Sequence, residues 1–556
     1  MRTHYGSFDY IVVGSGSAGA VVAARLAEGG QRSVLVLEAG KSDRREVIDM
    51  PIAWFRAMRT PDLGWGYMSE PEAYANDRRI PAPRGKVVGG CAAINGMMYS
   101  RGNPRDYDDW AQSGCAGWSF DDVLPYFRKS ESNWRGASKF HGDDGPITVA
   151  RHQHDDTLFP AIIEAAQALG QNAVDDFHGV DTEGWSVPDF TIHGGKRGSP
   201  SARMLRPALK NDNLRLATDA QAERIVFEAG RASSIEFRVG GVSAVAAAQR
   251  EIIVCAGAFN TPHLLMHSGI GPADHLRDFG ITVENDLPGV GENLQDHASI
   301  GMLYRASGDF TFDRQLRADR FALSLLRWKL LGQGPLAGLP VGAQGFVRTR
   351  EGLDRPDLQL LVSPVAMDAH VWFPFLRKAR GDFLTISNVL LGPESRGRIR
   401  LKSADPMDLP AVHLNLLQAP ADRQAFRRFV RFTRTLLATD PASGLVDGEV
   451  MPGADVQTDD EIDSFVRGAI GTAMHPTSSC AMGTGPMAVV DPQLRVHGTR
   501  GLRVVDCSVM PNIVGGNTNA PAIMIAEKAA DMILGKTPLP AEDVGPHTPA
   551  LAGANR

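Results

Sequence analysis

The sequence lacks the features that mark membrane-spanning, disulfide-bonded and nucleic-acid-binding proteins. No uninterrupted run of apolar residues is longer than five, whereas a helix that crosses a bilayer needs about 20. The five cysteines form no CxxC pair and are odd in number, which favours reduced thiols in a cytoplasmic protein. Lys and Arg total 58 against 64 Asp and Glu, so no basic excess is present to hold a phosphate backbone. We therefore expect a cytoplasmic protein with no membrane span and no nucleic-acid partner.

The composition that remains is that of an ordinary globular protein. Of the 556 residues, 43% are hydrophobic and 22% are charged, which excludes a disordered chain and a collagen. A chain of this length can bury a large core around a large ligand.

A nucleotide-binding motif stands near the N-terminus. The apolar run 10–13 predicts a buried parallel strand, 20–29 has helical character, and 33–37 predicts a second buried strand, which together make a βαβ unit. Between the first strand and the helix lies a GxGxxG motif formed by Gly14, Ser15, Gly16, Ser17, Ala18 and Gly19. Its glycines permit a tight turn, close approach of a diphosphate and close helix–strand packing, and the helix N-terminus supplies free N–H groups.

An acidic residue closes the second strand of this unit. Glu38 lies nineteen residues after Gly19 and is followed by Ala39. A carboxylate at this point can accept both hydroxyls of a ribose and would repel a 2′-phosphate, which argues against NADP. The motif alone does not distinguish FAD from NAD.

The rest of the chain alternates between strand and helix patterns. We predict strands over 214–218, 223–227, 251–255 and 502–505, a basic amphipathic stretch over 314–331, and helices over 421–437 and 521–534. An α/β fold with a Rossmann-type domain follows from this order.

Several further segments resemble the glucose–methanol–choline (GMC) family of flavin oxidoreductases. The segments are 84–96 (RGKVVGGCAAING), 117–127, 257–271 (GAFNTPHLLMHSGIG), 290–297 (VGENLQDH) and 395–397. The resemblance extends from about Phe8 to Leu534, nearly the whole chain. It implies FAD as cofactor, a two-domain fold and oxidation of an alcohol.

The resemblance also implies a division of the chain. A discontinuous FAD-binding domain is expected over 7–155, 203–300 and 470–535. A substrate-binding α+β domain, built on an antiparallel sheet with helices, is expected over 156–202 and 301–469. Residues 536–556 contain four prolines without periodicity and predict a mobile tail.

Five residues beyond the N-terminal βαβ unit and its Glu38-Ala39 end are further candidates for the FAD site. Gly89 and Gly90 permit a close backbone approach that suits a loop along a flat ring system. Asn95, followed by Gly96, could bond the polar edge of that ring, and Asp506 ends a late strand where α/β sheets place ligand groups. Asn95 and Asp506 could instead only stabilise turns. Members of the family with a covalent flavin carry a histidine where this chain has Ile94, so we predict non-covalent FAD.

His475 and Asn519 are the predicted catalytic pair. Pro476 biases His475 toward an extended backbone, outside a helix. By resemblance the two positions hold a catalytic histidine and its His or Asn partner. An imidazole can accept the hydroxyl proton while a hydride leaves the carbinol carbon for flavin N5, and Asn519 could hold the substrate oxygen. Asn519 could also be only the N-cap of the following helix.

The sequence thus predicts an FAD-dependent oxidation of a primary alcohol to an aldehyde, with electrons passed to a quinone-like acceptor or to oxygen. A hydroxynitrile-lyase-type enzyme with a redox-inert FAD and a non-catalytic flavin-binding protein remain alternatives. No metal site is expected. The aromatic cluster 371–375 and the residues 52–55 and Trp65 are candidates for the substrate pocket, with buried core as the other interpretation of the cluster.

Overall fold

The computed structural model describes residues 3–151, 158–179 and 182–545. The strands of its first half are Thr3–Val13 (β1), Val34–Leu37 (β2), Met98–Tyr99 (β3), Glu131–Asn133 (β4), Ile147–Arg151 (β5), Gly184–Ser186 (β6), Asp189–Phe190 (β7), Ile192–His193 (β8), Lys196–Arg197 (β9), Leu214–Ala217 (β10), Ala220–Glu228 (β11), Arg231–Val239 (β12) and Val242–Val254 (β13). Those of the second half are Ile270–Gly271 (β14), Asn285–Asp286 (β15), Ala298–Ala306 (β16), Ala343–Val347 (β17), Leu358–Ser363 (β18), Phe383–Leu390 (β19), Arg398–Arg400 (β20), Ala411–His413 (β21), Val446–Met451 (β22), Gly471–Thr472 (β23) and Leu502–Val504 (β24).

Helices pack against both main sheets. They are Ser17–Ala27 (α1), Glu46–Asp49 (α2), Trp54–Met58 (α3), Pro104–Gln112 (α4), Phe120–Ser130 (α5), Leu158–Ala168 (α6), Arg206–Ala208 (α7), Gly257–His267 (α8), Ala273–Asp278 (α9), Ala318–Leu331 (α10), Pro420–Ala438 (α11), Asp459–Ala469 (α12) and Asn519–Ile533 (α13). Among the described residues, none of the helices is both long enough and apolar enough to cross a bilayer.

The first large sheet carries the predicted βαβ unit. Its strand order is β10-β2-β1-β13-β12-β11, and β24 pairs with β13 outside this path. β1 lies between β2 and β13 and is parallel to both, so that Val13 stands beside Leu37 and Val254 at the carboxyl edge. β11 and β12 continue the sheet as antiparallel strands. The parallel strands are buried because helices cover them, which explains why their sequences are continuous apolar runs.

The second large sheet is antiparallel throughout. Its order is β22-β16-β19-β18-β17-β6, and the short β23 pairs with β16. The helix predicted over 421–437 forms as α11 and buries Phe426, Phe429 and Val430 in the common core. The prediction of a Rossmann-type sheet joined to an antiparallel substrate-domain sheet is therefore confirmed. The exact domain boundaries stay predictions.

Residues near the C-terminus return to the first domain. The α1 and α13 helices pack side by side, and Arg25 forms an ion pair at 2.8 Å with the buried Glu527. Beyond α13, the Leu539 N–H donates to the Tyr126 hydroxyl at 3.1 Å. Arg128 pairs with Glu542 at 2.7 Å, so the chain up to Glu542 is anchored on α5. Residues 546–556 of the predicted mobile tail lie outside the described residues.

Candidate active site

One long cavity crosses the molecule between the two large sheets. It begins at the carboxyl ends of β1 and β2, beside Glu38 and Ala39, and passes the glycine loop that precedes α1. It ends against the second sheet, where His475 and residues of strands β18 and β19 line it. An elongated cavity at the carboxyl edge of a parallel sheet is the usual position of a dinucleotide.

The glycine loop is shaped for close approach of a ligand. Gly14 has φ +98°, and a Cβ there would lie 2.5 Å from the Cys255 carbonyl oxygen. A Cβ on Gly19 would lie 1.9 Å from the Gly14 oxygen, so this glycine is required for packing. α1 begins at Ser17, and its N-cap residue Gly16 contributes no side-chain hydrogen bond, which leaves the first N–H groups of the helix free. Ser17 and Ala18 also line the cavity. The loop therefore fits a diphosphate.

Glu38 is held in place at the end of the cavity beside β1 and β2. Its carboxylate accepts from the Ser15 N–H at 3.0 Å, from the Ser15 hydroxyl at 2.6 Å and from the Gly40 N–H at 2.8 Å. Burial raises the pKa of this carboxyl, and these hydrogen bonds oppose the shift. The carboxylate is thus oriented before any ligand binds, as recognition of ribose hydroxyls requires.

The predicted Gly89-Gly90 segment touches the glycine loop. Gly90 has φ +50°, and a Cβ on it would lie 2.9 Å from the Gly16 Cα. Only two glycines permit these two loops to meet, and together they form one wall of the cavity. Gly89, with φ +90°, supports this turn, since a Cβ there would meet the Ser201 hydroxyl at 2.5 Å.

Asn95 and Gly96 follow on the same wall, and both line the cavity with Ile94. The Asn95 Oδ1 accepts from the Met97 N–H at 3.0 Å and from Arg197 Nη1 at 2.7 Å. Arg197 is buried, and burial lowers its pKa to about 9. Asn95 is therefore fixed by the protein on its oxygen side. Sequence reasoning missed Arg197, which lies about a hundred residues away and belongs to no recognised motif.

Asp506 lines the cavity, but its carboxylate already has protein partners. It accepts from the Gly257 N–H at 2.8 Å, from the Thr261 hydroxyl at 2.6 Å and from the Ser508 N–H at 2.8 Å. The structure thus places Asp506 at the start of α8 as well as at the ligand space. Its role in stabilising a turn is therefore observed, and its contact with a cofactor stays a prediction.

His475 lies in a loop after β23, so the prediction that Pro476 keeps it out of a helix is confirmed. The backbone N–H of His475 donates to Asp296 Oδ1 at 2.8 Å. Arg84 Nη2 donates to the backbone carbonyl of Met474 at 2.7 Å. Asp296 also accepts from the Thr472 hydroxyl. These bonds fix the backbone on both sides of the imidazole.

Two side chains contact the His475 ring from opposite sides. Its Nδ1 lies 3.0 Å from Nδ1 of His297, and its Nε2 lies 3.2 Å from Nδ2 of Asn517. Gln359 in β18 donates to the Asn517 oxygen at 3.2 Å. The Asn517 amide therefore directs its NH2 group at His475.

With the Gln359 and Asn517 amides oriented in this way, one set of proton positions on both rings is consistent with the contacts. Because the Asn517 NH2 donates to Nε2 of His475, this nitrogen is the acceptor and its proton sits on Nδ1. The Nδ1 proton is then donated to Nδ1 of His297, whose own proton lies on Nε2. The backbone of Leu391 and of Val514 raises the pKa of His297, against the larger effect of burial. His475 thus keeps an unprotonated Nε2 at the cavity.

Burial keeps both imidazoles neutral. It lowers the pKa of His475 well below the usual value, and the neighbouring His297 and the Arg84 cation add to the effect. Burial likewise lowers the pKa of His297 to about 4. The neighbouring carboxyl of Asp296 has its pKa raised to about 6 by burial. A neutral imidazole of this kind is a proton acceptor.

The structure corrects the predicted partner of His475. Asn517 makes the contact, whereas Asn519 is the first residue of α13, and its Oδ1 accepts from the Ser17 hydroxyl at 2.7 Å. Asn519 lines the cavity at the junction of the N-termini of α1 and α13, and Thr518 takes the N-cap position. The two amides lie two residues apart in one loop, and only the path of that loop decides which of them reaches the imidazole.

The other residues at the catalytic end were partly visible in the sequence. Asp296 and His297 belong to the 290–297 segment, and Arg84 begins the 84–96 segment, but nothing in the sequence joined them to His475. Gln359 lies in a strand with no recognisable motif.

The aromatic candidates divide between the cavity and the surface. Trp54 and Trp65 line the cavity. The cluster 371–375 does neither of the things predicted for it, because its residues are not among those lining the cavity and Phe373 and Phe375 are exposed. Among the described residues no group of His, Cys, Asp and Glu side chains could hold a metal ion.

Comparison with known proteins gives one family. Residues 8–299 and 393–526 match the GMC oxidoreductase family. The chain is 43% identical over 533 residues to an oxygen-dependent choline dehydrogenase of Rhizobium johnstonii, and 41% identical over 536 residues to one of Brucella suis, with 96% of each chain covered in both cases. Among solved structures it is similar to pyridoxine 4-oxidase from Mesorbium loti (TM-score 0.85, 30% identity, 95% and 99% of the chains covered). A fungal aryl-alcohol oxidase is also similar (TM-score 0.84, 26% identity, 96% and 99% covered).

Proposed function

The chain belongs to the GMC oxidoreductase family, and from this premise we propose that it oxidises a primary alcohol to an aldehyde. In this proposal His475 is the base, and FAD, when bound, supplies the hydride acceptor. The observation that carries the proposal is the unprotonated Nε2 of His475, held at the cavity by contacts on both sides of the ring. A proton removed from the substrate hydroxyl at this nitrogen makes loss of the carbon-bound hydride easier. When the hydroxyl of the alcohol takes the place of the Asn517 NH2 at this nitrogen, the amide can donate instead to the substrate oxygen as negative charge develops on it.

The described residues fit a bound FAD. The Gly14–Gly19 loop and the N-terminus of α1 would hold the diphosphate, and Glu38 the adenosine ribose. The Gly89-Gly90 wall and Asn95 would lie along the isoalloxazine ring system, and Asp506 also lines the cavity. Ile94 lines the cavity at the position where family members with a covalently bound flavin carry the bonding histidine. Because an alkyl side chain cannot form this bond, we propose that FAD is held without a covalent bond.

The experiment that tests the function is anaerobic mixing of the purified yellow protein with a panel of alcohols. Bleaching of the flavin absorbance followed by detection of the aldehyde supports the proposal. Reoxidation is then compared between air and a quinone analogue, which tests the two acceptors we propose. Cleavage of a cyanohydrin without bleaching would instead support the lyase alternative.

We propose that the substrate is a neutral alcohol. Several residues of the second sheet line the cavity. They belong to strands β16, β18, β19 and β23 and are Ser299, Gln359, Leu361, Ser363, Ser387, Val389 and Thr472. Among the described lining residues the carboxylates are Glu38, Glu223 and Asp506, all on the first sheet or at its edge. A cation bound at the His475 end would therefore lack a carboxylate partner there, and an unpaired buried charge is costly.

Choline is the second candidate, because the relatives named above are choline dehydrogenases. Trp54 in the cavity wall could attract a quaternary ammonium through its ring face, whereas the Trp65 ring already carries the Lys86 ammonium at 4.4 Å. The two candidates are separated by comparing choline with 3,3-dimethylbutan-1-ol, which has the same shape without the charge. We expect kcat/KM to be higher for the neutral compound, and a clear preference for choline would reject the neutral-substrate proposal.

A further inference from the structure

A cluster of exposed apolar side chains lies beside the cavity. We call it the α10 patch, and it consists of Leu323, Leu326, Leu330, Leu331, Phe373, Phe375 and Leu376, which are between 46% and 108% exposed. These are seven of the sixteen large apolar side chains that are exposed in the described part of the chain. Single exposed apolar residues are normal, whereas a concentration of this kind marks an interaction surface.

Helix α10 is apolar on two sides, and only one side is covered. Phe321, Leu325 and Trp328 pack against Met50 and Leu336 in a small core of their own. The outward leucines of the patch follow the same helical spacing on the other side. The exposed side is therefore not needed to attach the helix to the protein.

The patch carries a strong positive charge. Residues 318–331 and 371–380 contain six Lys or Arg and one acidic residue, in a chain whose net charge is −6. Lys329 pairs with Glu46 and Arg380 with Asp368. Arg320, Arg327 and Lys378 form no ion pair within the described residues. The apolar side chains are thus bordered by cations that remain available to a partner.

The two segments of the patch are joined to each other and to the cavity wall. The Ala318 N–H donates to the Trp372 carbonyl at 2.9 Å, and the Trp372 N–H donates to the Leu316 carbonyl at 3.0 Å. Met367, just before the second segment, lines the cavity and is 44% exposed. The core beneath α10 includes Ala53, which precedes the cavity residue Trp54.

We propose that the α10 patch binds the surface of an anionic phospholipid bilayer. An amphipathic helix with leucines on one side and cations at its border lies in such an interface without crossing it. The available cations are attracted to anionic headgroups. A second copy of this chain is the less suitable occupant, because a two-fold interface would bring the same cations of both subunits together.

Binding through this surface would bring the cavity close to apolar alcohols and quinones dissolved in the bilayer. This consequence rests on the proposed function, whereas the binding itself does not.

The test is flotation of the purified, flavin-loaded full chain with lipid vesicles, without any alcohol. We expect it to float with phosphatidylcholine vesicles that contain about a third phosphatidylglycerol, and far less with phosphatidylcholine alone. The double variant Leu326→Glu, Leu330→Glu should lower the bound fraction about 10-fold or more. Val242→Glu is the matched control, since Val242 is 58% exposed on strand β13 of the first sheet and should leave binding unchanged.

Folding and oligomeric state are measured on the same samples. Turnover of a water-soluble alcohol by the double leucine variant shows that this variant is folded. A second double variant, Arg320→Ser with Arg327→Ser, should reduce vesicle binding most at low salt. The proposal is overturned if the wild-type protein stays with the unbound fraction. It is also overturned if the double variant floats as well as the control, or if the wild-type protein is a dimer that the double variant converts to a monomer.

Discussion

Replacing the two amides of the 515–521 loop one at a time distinguishes the structural assignment from the sequence-based one. In the structure Asn517 contacts Nε2 of His475 at 3.2 Å, whereas Asn519 accepts from Ser17 at the N-terminus of α1. We expect Asn517→Ala to slow flavin reduction by alcohol and to leave flavin content unchanged. Asn519→Ala should leave the rate per bound flavin within about 3-fold and weaken flavin retention instead, because it removes a single neutral hydrogen bond at the glycine loop.

The size of the Asn517 effect separates two roles for the amide. If it only orients His475, one hydrogen bond is lost, worth about 1 to 1.5 kcal/mol, or roughly 10-fold in rate. If it also donates to the substrate oxygen as charge develops there, the loss should reach about 100- to 1000-fold. Asn517→Asp keeps the size of the side chain but removes the NH2 donor, so a donor role predicts that it is at least as slow as Asn517→Ala.

The assay is stopped-flow absorbance of the flavin under anaerobic conditions at saturating alcohol, with flavin content measured on the same preparation. The reduction step isolates chemistry from product release and from the electron acceptor. The reasoning fails if Asn519→Ala slows reduction 10-fold or more per bound flavin while Asn517→Ala matches the wild-type rate. In that case the loop would take another path in the working enzyme, and the contact with His475 would carry no function.

Four further outcomes follow from the same site. His475→Ala should lower the rate of flavin reduction by about 100- to 10,000-fold with flavin still bound, and a loss below about 10-fold would exclude this imidazole as the base. Because the pKa of His475 is lowered well below its usual value, its neutral form is present at neutral and alkaline pH. The rate of flavin reduction should therefore be constant at neutral and alkaline pH and fall only in acid. A rate that keeps rising through pH 8 would contradict this. The pKa of His297 is about 4 in the folded protein and about 6.5 in the unfolded chain, so unfolding takes up a proton between these two pH values. The melting temperature should therefore fall as the pH is lowered from about 6.5 to about 4. The fall should be smaller in His297→Leu if this variant folds. Acid precipitation of the protein should release all of the yellow flavin into the supernatant, and colour that remains in the pellet would show a covalent bond.

The local sequence was sufficient for the parts of the protein whose structure is set by neighbours along the chain. The βαβ unit forms where the apolar runs and the glycine motif predict it, with strands at Thr3–Val13 and Val34–Leu37 around the helix Ser17–Ala27. Buried strands and phosphate-binding turns need particular residues at fixed spacing, so their pattern is visible without knowledge of the fold. The family resemblance of the 84–96 and 257–271 segments supplied the two-domain architecture in the same way.

Only the tertiary structure decided which side chains meet. His475, His297 and Asn517 come from three separated loops, and their contacts depend on how the two sheets are placed against each other. The same holds for α10, where the sequence predicts a basic amphipathic stretch but cannot show which apolar side is covered. Side-chain contacts across long separations depend on the direction in which each loop and helix is packed, and that direction is fixed by the whole core and not by any short segment.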